Sequence, residues 1–401
     1  MSAVPASSSA QQFRPVDFDP FAPRGPIVLP LTAAQQEVWM AAQMGADASS
    51  AYNQSFPMGL VGPLSIESLR TAIAGLAKRH EALRTTFSPG GESQMVAAAA
   101  SLPLTLHDIS TVPEADRRQA IGHLLEREVR EPFDLARGPL ARFHIVRESD
   151  HAHVLIMTAH HLVCDGWSSV LLLRDLAAIY TADRHGLRPR LPEPMSYSEY
   201  VRSAALPSPE RMSSEAYWLT QFADGVPTLE LPIDHPRPST RTFRGGHERL
   251  IVNADLYREL KRLGARHGCS LYVTLLATWQ VLLFRLTHSR DFVVGIPVSG
   301  QSVLDNQHLA GHAVHVLPLR TAVEPSATFG EQLVRARRTL GEAHEHRAIS
   351  FGQIGALRPG RDTAQSAPLA TVFNVDPPVE PPQFHGLELE RLVAPRSAYN
   401  F

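Results

Sequence analysis

The sequence predicts an α/β protein built as two similar halves. Three observations carry that expectation. A chain of 401 residues exceeds one ordinary core, and roughly 100–200 residues per domain gives two. Helical-period segments and short apolar strand-like runs alternate along it. A hydrophobic content of 44% is enough for well-formed cores.

In chain order, periodicity predicts helices over 32–43, 65–79 and 114–130, followed by strands over 141–146 and 154–157. Val154 to Met157 is a short apolar run bounded by polar residues, the pattern of a buried strand. Ser168 is placed to cap a helix through Val170, Leu171, Leu173, Leu176, Ala177 and Tyr180. Pro189, Pro192 and Pro194 mark a crossover over 186–215. Beyond it, helices are expected over 255–267, 271–286 and 328–343, with strands over 292–296, 313–317 and 370–374. The halves are therefore 28–185 and 216–401. No internal repeat is visible between them.

Residues 1–27 are rich in Ser, Ala, Pro and Gln and lack an apolar core, so they read as a disordered linker or docking tail. Val16 to Phe21 is either a short docking peptide within it or plain tether. No signal peptide is read at the start. The longest apolar stretch, Leu271 to Leu286, is interrupted by Thr274, Thr278, Gln280 and Arg285, and reads as a buried helix rather than a membrane span. A net charge of −2 gives no electrostatic footprint for nucleic acid. Lysine occurs only at Lys78 and Lys261, which reflects composition and not a binding surface. Cys164 and Cys269 offer no disulfide framework, in keeping with a reducing cytoplasm.

The chemistry concentrates in Thr158 to Ser168. There the paired imidazoles of His160 and His161 are followed four residues later by Asp165 and then Gly166. Histidine is the side chain whose ordinary pKa lies nearest neutrality, so it moves protons at cellular pH. Alternation along a strand sends only one of the two into a shared cavity. His161 is the candidate for chemistry and His160 for packing. Asp165 reads as the anchor of the turn, and Gly166 as a place where a side chain would be excluded. A His-His pair alone is usually decoration. A zinc site through His161, Cys164 and Asp165 lacks the spacing of known zinc motifs, and no metal is expected.

The run His160-His161-Leu-Val-Cys-Asp165-Gly166 resembles the signature of condensation domains of nonribosomal peptide synthetases. Further family motifs follow in order. Leu31 to Trp39 resembles the first and Arg79 to Phe87, which includes Arg84, the second. Pro132 to Leu140 resembles the approach to the active-site strand, Tyr197 to Tyr200 the fourth motif, and Leu309 to Arg320 the fifth. His346 to Phe351 and Arg361 to Leu369 are weaker versions of the sixth and seventh. The likeness covers residues 28–401. Several positions depart from it: Glu37 replaces a basic residue, Gln301 an arginine that pairs with the motif aspartate, His315 an asparagine, and Ala348 an aspartate. Gln35 to Trp39, Gln43 to Gly45, Val163-Cys164 and Gln301 together are similar to domains that follow polyketide modules in hybrid assembly lines.

The resemblance implies two chloramphenicol-acetyltransferase-like subdomains in a V-shaped pseudo-dimer with a tunnel between them. It also implies a C-terminal end that is truncated, since family members continue beyond Phe401. The implied reaction is aminolysis of a thioester. An acyl donor on the phosphopantetheine arm of an upstream carrier protein meets an aminoacyl acceptor on a downstream one. His161 either takes the ammonium proton or hydrogen-bonds the amine and intermediate. His160, Asp165 and Gly166 complete the motif, with Trp167, Ser168, Arg84, Gln301 and His315 supporting it. No cofactor is expected on this chain; its partners would be the two carrier proteins and neighbouring synthetase domains, with neither nucleic acid nor membrane. An ester-forming acyltransferase, an epimerase and an inactive docking module are the alternatives. Missing Gly-x-Ser-x-Gly and triad patterns argue against an acyl-enzyme.

Overall fold

The computed structural model describes residues 25–236, 238, 242–303, 308–357, 369–376 and 378–392. Most of the tail, most of the seventh motif and the last nine residues lie outside that set.

The first half is organised by β7 (Ala152–His160). Its neighbours are β2 (Asn53–Val61) on one side and β6 (Ala141–Arg147) on the other, both antiparallel to it. β5 (Leu104–Asp108) adds in parallel to β6. β7 is apolar without alternation because both its faces are covered. Leu155, Met157 and Ala159 pack under α3 (Ile66–Arg79) and α5 (Gly166–Arg184), while Val154 and Ile156 meet Leu124 and Leu125 of α4 (Glu114–Arg130). A small sheet of β1 (Ile27–Pro30), β4 (Ser93–Val96) and β3 (Thr85–Phe87) lies beside α1 (Ala33–Ala42), which leads into the short α2 (Ala46–Ser50).

α6 (Tyr197–Ala204) and α7 (Pro209–Gln221) occupy much of the segment expected as a crossover and lead into the second half. There α8 (Ala254–Arg266) and α9 (Leu271–Thr287) precede the β-pair of β8 (Asp291–Ser299) and β9 (Val314–Ala322). The short α10 (Gly300–Val303) lies between these strands; α11 (Phe329–Glu345) and α12 (Phe351–Ala356) follow. Trp218 and Phe222 of α7, Leu276 and Leu283 of α9, and the inward residues of β8 and β9 form this half's core. The strand expected over 370–374 is reduced to a single bridge, Gly295 to Val372, flanked by two backbone hydrogen bonds.

Finally β10 (Glu388–Arg391) returns to the first half and pairs with Met58–Val61 of β2, giving the strand order β10-β2-β7-β6-β5. The division at residue 216 is therefore not a division of the sheets. β2 was not expected as a strand because Pro57 and Gly59 interrupt it. Pro57 is tolerated one residue outside the stretch that β10 covers, and Gly59 is required there because a Cβ would lie 2.8 Å from Glu390 Cβ. No single described helix is long and apolar enough to cross a membrane; α8 and α9 pass that test only as a pair bent by 96°.

Candidate active site

β7 ends at His160, and the chain turns through His161 to Asp165 before α5 begins. The two imidazoles part company here. His160 is fully buried, edge-on to the Phe133 ring, and its Nδ1 accepts from the Leu162 amide at 3.2 Å. Burial, with the like charge of His161, pulls its pKa down to about 3. His161 is half-buried, tied by its backbone amide to the Tyr52 carbonyl at 2.9 Å. Burial also lowers its pKa, opposed by the Asp165 charge and by the carbonyls of His161 itself and Cys164. A neutral imidazole is a competent proton acceptor.

The helix cap is Asp165, not Ser168. The Asp165 Oδ1 accepts from the Ser168 amide at 2.8 Å, so α5 starts three residues earlier than the serine suggested. Ser168 instead sits buried in the first turn, its hydroxyl 2.6 Å from Asp165 Oδ1 and 2.8 Å from the Gly311 carbonyl, while accepting from the Gly311 amide at 2.9 Å. Gly166 also differs from expectation. It has an ordinary backbone and a Cβ there would meet nothing within 4 Å, because it is the solvent-facing first residue of the helix. Trp167, 41% exposed, follows it.

The second half supplies the other wall. The Asp165 Oδ2 accepts from Gln301 Nε2 at 3.2 Å and from the Ala313 amide at 3.1 Å. The Ser299 hydroxyl donates to Gln301 Oε1, and so fixes the amide orientation. Where the resemblance led to an expected arginine, neutral donors thus hold the carboxylate. His312, next to Ala313, brings its Nδ1 to 3.1 Å from His161 Nδ1. The Tyr197 hydroxyl donates to the His312 carbonyl at 2.7 Å. Gly311 is needed for this approach: its φ is +145° and a Cβ would lie 2.2 Å from the Tyr197 ring.

Two of the expected supports lie farther out. His315 is turned to the Arg347 carbonyl at 2.9 Å, and Arg84 donates to the carbonyls of Ala77, Ala97 and Ala98, binding α3 to the end of β4. Among the described residues no group of three or more His, Cys, Asp or Glu could hold a metal. A cavity of about 470 Å³ lies in the second half between Val226–Ile233 and β8, apart from the histidines.

Comparison with known proteins identifies the family of the chain. Residues 27–390 match the Condensation domain family. The chain belongs to that family. Chondramide synthase cmdD of Chondromyces crocatus is 34% identical over 351 residues, 86% of this domain but 9% of the synthase. The domain therefore spans a small part of that relative. Among solved structures, the X-domain from teicoplanin biosynthesis superposes with a TM-score of 0.80 at 25% identity, covering 92% of the domain and 83% of the X-domain. The first condensation domain of the calcium-dependent antibiotic synthetase, bound to a substrate analogue, gives 0.75 at 21%, covering 93% and 86%, a likeness of fold.

Sequence reasoning missed His312, Gly311, Tyr197 and Gln35. Gln35 is fully buried and donates to the Leu162 carbonyl at 3.3 Å, supporting the histidine turn from α1. All four lie in motifs already recognised. The available signal was the adjacent Gly311-His312 pair just before the apolar run of a strand.

Three outcomes follow from this network. Asp165→Ala leaves buried amides on Ser168, Ala313 and Gln301 without their acceptor, at ~1–3 kcal/mol per orphaned donor. It should lower the melting temperature together with activity, and an unchanged thermal unfolding curve would assign Asp165 a purely chemical role. Gln301→Arg replaces a neutral donor with a charge-assisted one. That variant should fold with an equal or higher melting temperature; collapse would show that the pocket is shaped to the amide. Because the pKa of folded His160 is depressed, its unfolded form binds a proton first as pH falls below about 6.5. Stability should then fall by about 1.4 kcal/mol per pH unit for that group down to about pH 3. Urea titrations across this range should give a shallower slope for His160→Gln.

Proposed function

We propose that this condensation domain forms an amide bond between two carrier-bound substrates in nonribosomal peptide biosynthesis. The observation that carries the reading is His161, a depressed-pKa imidazole at the end of a rigid strand where both halves contribute walls. The acceptor amine attacks the donor thioester carbonyl, the amine proton leaves, the C–S bond breaks, and the phosphopantetheine thiol is released. His161 takes the amine's proton or hydrogen-bonds the amine and the developing intermediate. Tethering of both substrates supplies much of the acceleration, since orientation alone is worth about 7–11 kcal/mol.

The substrates would arrive on an upstream donor and a downstream acceptor carrier protein, beside other synthetase domains, with no cofactor on the domain itself. The sequence likeness to domains that follow polyketide modules favours an acyl donor made by carbon-chain extension. The reaction belongs in the reducing cytoplasm, where Cys164 and Cys269 stay free thiols.

The test is to load donor and acceptor carriers with an acyl and an aminoacyl group and read the products by mass spectrometry. The parent should form the amide, and His161→Ala should lose about 10²–10⁴-fold with its melting curve intact. Product with a hydroxyacyl acceptor alone would instead identify an ester-forming enzyme. No product with any pair would leave the docking module as the reading, and parental rates in His161→Ala would remove His161 from the chemistry.

A further inference from the structure

His312 comes from the second half, yet it lies against the candidate catalytic imidazole. It is 3% exposed, its ring stands edge-on to that of His161 with centroids 4.8 Å apart, and the two Nδ1 atoms are 3.1 Å apart. Two ring nitrogens at that distance make a hydrogen bond only if one carries the proton and the other is bare. A neutral imidazole has a single N–H. One ring therefore donates Nδ1–H and keeps a bare Nε2, while the other accepts on Nδ1 and keeps its proton on Nε2.

The surroundings choose between the two arrangements. The Ala34 carbonyl favours a proton on His312, whose Nδ1 is already engaged with His161, so that proton belongs on Nε2. On His161 two carbonyls, its own and that of Cys164, favour a ring proton and do not choose between its nitrogens. The His312 side chooses: with its proton on Nε2 its Nδ1 is bare, which puts the shared proton on His161 Nδ1.

We propose that His312 is a positioning residue whose Nδ1 accepts the Nδ1–H of His161, leaving His161 Nε2 unprotonated to receive the substrate proton. When Nε2 takes a proton from the acceptor's ammonium and so frees the amine to attack, the Nδ1 proton stays in place and the imidazolium remains hydrogen-bonded to a neutral His312. Burial, with the like charges of His161 and His160, holds His312 well below the usual imidazole range, so it does not compete for the proton. The arrangement resembles the orienting member of a catalytic triad with a neutral acceptor in place of a carboxylate. It also makes the tautomer of His161 depend on the second half being docked against the first. The use of Nε2 rests on the proposed condensation; the tautomer does not.

Other titratable groups bear on the pair. His160, Cys164 and Asp165 surround His161, and His160 and His315 act on His312, whose backbone carbonyl receives the Tyr197 hydroxyl. Asp165 and the Cys164 carbonyl remain in every variant below.

The experiment is long-range nitrogen NMR on the full chain labelled with ¹⁵N-histidine, His161 being assigned by its loss in His161→Gln. In the parent, Nδ1 of His161 should show the shift of a protonated nitrogen and Nε2 that of a bare one. His312→Asn keeps an acceptor oxygen at the δ position and should keep this tautomer. His312→Leu removes the acceptor and should raise the Nε2–H population at least about two-fold and lower the pH midpoint of His161, because its imidazolium loses a partner. A parent spectrum with Nε2–H, donated to the Cys164 carbonyl, overturns the proposal. So does a folded His312→Leu with tautomer and midpoint unchanged, which would mean that His161's own carbonyl suffices. Should His312→Leu not fold, loss of the Nδ1–H tautomer in His312→Asn overturns it equally. None of these readouts needs a substrate, so a failed condensation assay leaves them independent.

Discussion

One buried carboxylate holds the site together. Asp165 is 1% exposed and accepts from Ser168 in its own helix and from Gln301 and Ala313 in the other half. A buried anion is costly unless its lone pairs are filled, so the polar groups around it are constrained together. The Ser168 amide fixes the start of α5, and the Ala313 amide fixes the start of β9. The two histidine-bearing loops are consequently placed by the same few bonds that stitch the halves. Neutral donors suffice because four of them converge, including two backbone amides whose positions are set by regular structure.

The second constraint is steric. Gly311 carries the chain past the Tyr197 ring at a distance no side chain would permit, and Tyr197 in turn anchors the His312 carbonyl. The loop before β9 is thus clamped by α6 on one face and by α5 on the other. A further tie runs between α1 and α12, where Glu37 accepts from the Ser350 hydroxyl and a Cβ on Gly352 would meet its carboxylate. Burial raises the Glu37 pKa, opposed by the hydrogen bonds from the Ser350 hydroxyl and the Gly352 backbone. The departure noted at Glu37 therefore has a local partner: the side chain caps a helix of the opposite half, where an acid is favoured near an N-terminus.

Much of this was legible in the sequence because it is local. Helices α3, α4, α8, α9 and α11 follow from apolar period, and β6 and β7 from short apolar runs between polar residues. The His160–Gly166 turn announces itself by residue type. What was illegible depends on long-range pairing. β2 hides behind Pro57 and Gly59, whose tolerance makes sense only once the reach of β10 is known. Ser168 passes for a cap because serine is a good one, yet Asp165, three residues earlier, wins with a carboxylate that must be satisfied anyway. His312 lies 151 residues from His161 and its role is invisible until the halves are in contact. His315 drew notice as an unusual residue at its position, but it faces the Arg347 carbonyl.

The return of β10 to β2 has a consequence for how the chain is made. Roughly 330 residues separate the two strands, so at about 5–20 residues per second the ribosome needs some tens of seconds after finishing β2 before its partner exists. During that interval β7 and β6 can already pair with the rest of the sheet, but Met58–Val61 presents an open edge, the kind of surface on which sheets join wrongly. The first half therefore cannot mature as an independent unit ahead of the second. Its last strand is delivered only after the second half has been synthesised, which couples assembly of the whole to completion of both.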